Sequence, residues 1–105
     1  MARVQPETRL VKKLREELHA AGWLAYKIHG SQYQEPGIPD LLCFRDGRAL
    51  AIEAKLPGNK PTAVQARQHK RLTAAGVPVL VIHSVDELRE ALTGIDDAGG
   101  AASQG

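Results

Sequence analysis

Apolar positions along the chain switch between a helical and a strand-like period. Val11, Leu14, Leu18 and Ala21 recur at helical spacing, with Pro6 ahead of them and Gly22 behind. Proline suits a first helical turn because its missing N–H needs no partner there, and glycine readily ends a helix. A helix is therefore predicted over 6–21. Trp23 to Ile28 reads as a strand, followed by a loop from His29 to Pro39 that contains Gly30, Ser31, Pro36 and Gly37. Leu41 to Phe44 and Ala49 to Lys55 read as two strands joined at Asp46-Gly47, a dipeptide suited to a two-residue hairpin turn. After a Pro/Gly/Asn-rich loop from Leu56 to Pro61, Thr62 and Gln65 make a capping box that opens a second helix, which Gly76 should end. Val77 to His83 is the fourth predicted strand. Ser84 and Glu87 open a third helix through Thr93, with Gly94 closing it.

The order α-β-β-β-α-β-α predicts an α/β fold with a mixed four-stranded sheet flanked by helices. The first three strands form an antiparallel meander. The third and fourth, joined through a helix, should be parallel. A single domain is expected over residues 1–94, and the small, polar stretch 95–105 is expected to be a disordered tail.

Composition narrows the classes. The chain has 105 residues and one cysteine, which excludes an internal disulfide and fits a reducing compartment. Cys43 is read as a small buried hydrophobe. No apolar run is long enough to span a membrane and MARVQPETRL lacks a secretory apolar stretch, so a cytoplasmic protein without a membrane partner is expected. The net charge of +2 is unevenly spread. Residues 1–83 hold 13 Lys/Arg against 7 Asp/Glu, whereas 84–105 hold 1 against 5. A basic body is compatible with a polyanion partner.

The hairpin carries the sharpest expectation. If Asp46 and Gly47 are its central residues, Arg45 faces Arg48, opposed residue numbers sum to 93, and Asp40 lies across from Glu53. Directly opposed residues share a face, and so does Lys55, two residues beyond Glu53. Two opposed carboxylates repel unless something offsets the repulsion. Lys55 can do part of this. A divalent cation held by Asp40, Glu53 and the Ala54 carbonyl would do more, since Mg²⁺ typically takes one or two carboxylates plus waters and phosphate oxygens. Glu7, four residues before Val11, shares the apolar face of the first helix. Either it complements the helix dipole or it points over the sheet towards the acid pair.

Pro39-Asp40 followed by Glu53-Ala54-Lys55 resembles the PD…(D/E)xK signature of restriction-endonuclease-like nucleases. The surrounding GIPDLLCF-RDG-RALAIEAKLPG-N-KPTAVQ is similar to the virus-type replication-repair nuclease (VRR-NUC) branch, with Glu7, Gly37, Asp40, Glu53, Lys55 and Gln65 at matching positions over roughly residues 5–90. This resemblance implies Mg²⁺- or Mn²⁺-dependent hydrolysis of DNA phosphodiester bonds leaving 5′-phosphates, with structure-selective cutting of branched, junction or flap DNA in replication, recombination or repair. It does not exclude RNA. It implies Asp40, Glu53 and the Ala54 carbonyl as metal ligands, Glu7 bound through water or a second metal, Lys55 acting on the attacking water, and Gln65 supporting the site. Lys12, Lys27, Ser31, Tyr33, Lys60, Arg67 and Lys70 are candidate DNA contacts, and a homodimer would match a two-fold junction. A noncatalytic nucleic-acid-binding module on the same fold is the rival expectation. His69, one turn beyond Gln65, stays outside the expected catalytic set.

Overall fold

The computed structural model describes the backbone of residues 5–103 and side chains through 96. Its order is α1 (Pro6–Ala20), β1 (Leu24–Lys27), β2 (Leu41–Arg45), β3 (Arg48–Ala54), α2 (Ala63–Ala74), β4 (Val79–Ile82) and α3 (Val85–Ser103), matching the expected sequence of elements. The strands form one sheet in the order β1-β2-β3-β4. β1 and β2 pair antiparallel, as do β2 and β3, and β3 pairs parallel with β4.

Turn chemistry fixes the register. Asp46 (φ 51°) and Gly47 (φ 76°) both take positive φ, as a type I′ turn requires. Arg45 then pairs with Arg48 and the ladder runs to Leu41 opposite Ile52, so every pair sums to 93. Alternation divides the sheet into two faces. Ala25, Leu41, Cys43, Leu50, Ile52 and Ala54 join Val11, Leu14, Leu18, Leu88 and Leu92 of α1 and α3 in the core. The opposite face bears Ala51 and Glu53 from β3 and, just past its end, Lys55, beside Leu24, Tyr26 and Phe44, which remain exposed. Tyr26 and Phe44 meet edge to face with ring centroids 6.2 Å apart.

Both capping boxes were expected, and one is complete. At α2 the Gln65 N–H donates to Thr62 Oγ1 and the Thr62 N–H donates to Gln65 Oε1. At α3 the Glu87 N–H donates to Ser84 Oγ, but the Glu87 carboxylate turns to His83 Nδ1 at 3.2 Å.

The third helix departs from expectation. Gly94 lies inside α3, and the segment expected to be a disordered tail from residue 95 is helical through Ser103. A mid-helix glycine costs only about 1 kcal/mol relative to alanine. Tertiary contacts outweigh that cost here: Ile95 packs against the core, and Asp96 pairs with Arg45. Arg45 also donates to the Ala21 carbonyl and lies over the Trp23 ring, 4.6 Å from its centroid. Ala21 itself is exposed beyond the end of α1, so the apolar stripe of that helix ends at Leu18.

Candidate active site

Asp40 stands one residue before β2, where the ladder would next pair it with Glu53. Its Oδ2 accepts the Ala54 N–H at 2.8 Å, while the Ile28 N–H donates to its carbonyl, also at 2.8 Å. Asp40 is thereby tied to the ends of both β1 and β3. Glu53 is 1% exposed, and the Asp40 carboxyl is held beside it by its bond to the next residue, Ala54. Lys55 is buried on the same face, its N–H donating to Ile82 O at 3.0 Å.

The electrostatics follow from this crowding. Burial first, then the neighbouring Asp40 carboxyl, push the Glu53 carboxyl up to about 8, while Lys55 opposes the rise and Glu7 adds to it slightly. Glu7, in the first turn of α1, lies on the Asp40 side of that helix. It lines a cleft of about 350 Å³ with Thr8, Lys27, Asp40 and Leu56. A second cleft of about 380 Å³, lined by Ser31, Gln34, Pro36, Gly37 and Ile38, also contains Lys27 and Asp40. The two clefts therefore meet at Lys27 and Asp40.

The loop that delivers Asp40 is seated on α2. Gly37 has φ +85°, and a Cβ there would lie 2.8 Å from the Val64 carbonyl oxygen, so only glycine fits the approach. Buried Gln68 donates from Nε2 to Pro36 O at 3.1 Å, and Arg71 pairs with Glu35 at 3.0 Å.

Gln65 is half-buried, and its side-chain oxygen is occupied by the α2 cap. His69, which sequence reasoning left aside, has its Nε2 3.1 Å from Glu53 Oε1, with its side chain only 14% exposed. Burial and the nearby Lys55 charge lower its pKa, favouring the neutral imidazole. The signal for His69 was its place four residues after Gln65 on one helix face. Cys43 is fully buried, its thiol pushed up to about 12, and it stands on the core face away from the acids.

The expected DNA contacts are dispersed around this centre. Lys12 borders a shallow cleft with Thr8, Val11, Arg15 and Lys27. Lys27 is half-buried and also donates to Ile28 O at 3.0 Å. Tyr33 is 90% exposed, and Ser31, Lys60, Arg67 and Lys70 are exposed.

The mixed four-stranded sheet with its flanking helices, bearing Asp40, Glu53 and Lys55 at the adjoining ends of β2 and β3, matches the restriction-endonuclease-like class of nuclease folds. No family model matches the chain. A solved structure described as a VRR_NUC domain superposes with a TM-score of 0.73 at 28% identity, covering 86% of this chain and 97% of the other. A protein of Acyrthosiphon pisum secondary endosymbiont phage 1 named "Putative nuclease p44" is 38% identical over 81 residues, covering 76% of this chain and 85% of that one. The Archaeoglobus fulgidus Holliday junction resolvase Hjc superposes with a TM-score of 0.60 at 25% identity, covering 73% of this chain and 67% of the resolvase. This chain belongs to the VRR-NUC nuclease family.

Proposed function

We propose that this protein is a divalent-metal-dependent endonuclease that cuts branched DNA. The carrying observation is the buried Glu53 carboxyl at the position facing Asp40, whose own carboxyl is bonded to the Ala54 N–H, beside buried Lys55. Evolving a fold around two adjoining acids makes sense when a cation joins them, because like charges at this spacing otherwise weaken the sheet. The resolvase likeness supports a junction or other branched substrate, and the nuclease relative supports the reaction class.

The donor set fits Mg²⁺ or Mn²⁺. Among the described residues no three His, Cys, Asp or Glu side chains stand close enough to hold one ion together. Two carboxylates completed by a backbone carbonyl and water is the pattern that Mg²⁺ favours. Asp40, Glu53 and the Ala54 carbonyl would hold it, with Glu7 reaching through water or holding a second ion. The bound ion would polarise the scissile phosphate and acidify a water. Lys55 orients the attacking water and neutralises charge that develops on the phosphate. Gln65 supports the site from the start of α2. Hydrolysis leaves a 5′-phosphate.

Lys12, Lys27, Ser31, Tyr33, Lys60, Arg67 and Lys70 grip the DNA, with Lys27 at the junction of the two clefts carrying the strand past Asp40. Such contacts give affinity and register without reading bases. A symmetric junction needs two cuts, so the active form is a homodimer. No helix among the described residues is long and apolar enough to cross a membrane, and the phage relative supports work on DNA in a bacterial cytoplasm.

The test is incubation with junction, flap, duplex and single-stranded DNA in Mg²⁺, Mn²⁺ or EDTA. Metal-dependent cuts in branched DNA are expected, lost in Asp40→Ala and Lys55→Ala while binding persists. Binding without cleavage under every metal would favour a noncatalytic DNA-binding module instead.

A further inference from the structure

We propose that His69 is a positioning residue that holds the Glu53 carboxylate in its metal-binding orientation, an inference that rests on the nuclease reading above. Glutamate reaches its carboxylate through three rotatable bonds, so a backbone fixed in β3 does not by itself fix the oxygens. Asp40 needs no such help, because the Ala54 N–H already holds its Oδ2. Glu53 lies on the face covered by α2, and His69 Nε2 meets Oε1 there at 3.1 Å.

The brace is rigid because α2 is anchored at several points. Its first turn is closed by the Thr62–Gln65 capping box. Gln68, the residue next to His69, bonds the Pro36 carbonyl, and Gly37 lies against Val64. One helix therefore touches both arms of the acid pair: Gln68 sets the loop that delivers Asp40, and His69 sets Glu53. The imidazole bonds one carboxylate oxygen and leaves the other for the ion. Groups that orient a ligand in this way commonly contribute 10–100-fold to metal affinity or activity.

The experiment compares full-length wild type, His69→Ala and His69→Gln. Mn²⁺ binding is read without DNA from the electron paramagnetic resonance of the free ion, and kcat and KM are measured on branched DNA. His69→Ala should bind Mn²⁺ about 10–100-fold more weakly. Its kcat should fall at limiting metal while the KM for DNA holds. His69→Gln keeps an N–H donor near the position of Nε2 and should recover most of the loss. Pulsed resonance on wild-type protein should show no imidazole nitrogen bonded directly to Mn²⁺.

A folded His69→Ala that binds Mn²⁺ like wild type overturns the inference. So does a His69→Gln no better than alanine, or a directly bonded nitrogen. If alanine lowers the melting temperature, His69→Leu fills the volume without a donor and takes its place. Wild-type protein that neither binds Mn²⁺ nor cleaves DNA removes the nuclease reading and this inference together. Wild-type protein that does both, beside an unimpaired His69→Ala, removes only the brace.

Discussion

Glu53→Gln should stabilise the metal-free protein while abolishing cleavage. The glutamine amide keeps an oxygen for His69 and places an N–H donor beside the Asp40 carboxylate. What changes is the proton. The Glu53 carboxyl sits at about 8 in the fold against 4.5 for the free side chain. Between those values the folded protein holds a proton that the unfolded chain has released. Stability therefore falls as pH rises through that window, by up to about 1.4 kcal/mol per unit, and levels off above the folded value. At pH 7 the effect is on the order of a few kcal/mol. Glutamine carries no such penalty. Urea denaturation in EDTA at pH 5, 6, 7 and 8 measures it. The two proteins should be close at pH 5 and diverge steadily, with the variant ahead at pH 8. Saturating Mn²⁺ should then raise wild-type stability at pH 8 far more than that of the variant. Parallel pH profiles, or a variant less stable than wild type at pH 8, would refute the claim that a crowded carboxyl strains the metal-free site.

Other expectations rest on separate contacts. Gly37→Ala should cost more than about 1 kcal/mol, since the position needs positive φ and a Cβ would meet the Val64 carbonyl. Because that loop delivers Asp40, cleavage should fall further than thermal stability alone explains, and a fully active, equally stable variant would disprove the seating. Lys27→Ala and Lys12→Ala should weaken DNA binding without sequence dependence and lower the slope of log affinity against log salt by about one each. An unchanged salt slope would remove either residue from the binding surface.

The strand register was legible because it depends on local chemistry. Asp46-Gly47 dictates a two-residue turn, the turn dictates the pairing, and the pairing places residue 40 opposite residue 53. Glu7 was legible as an acid on an apolar stripe, but only the fold sets it along one cleft with Asp40. The capping role of Gln65 was equally local. His69 was not legible in this way. Helical spacing put it on the face of Gln65, but whether that face lies over Glu53 depends on how α2 settles on the sheet.

Sequence alone determined the element order, the hairpin register and the chemical identity of the acids and lysine, because each follows from neighbours a few residues apart. Tertiary structure decided which partner each group meets. It continued α3 through Gly94, since Ile95 and Asp96 find the core and Arg45 from across the fold. It also buried Glu53 beneath α2, where desolvation and the charge of Asp40 give one carboxyl an affinity for protons that no local pattern encodes.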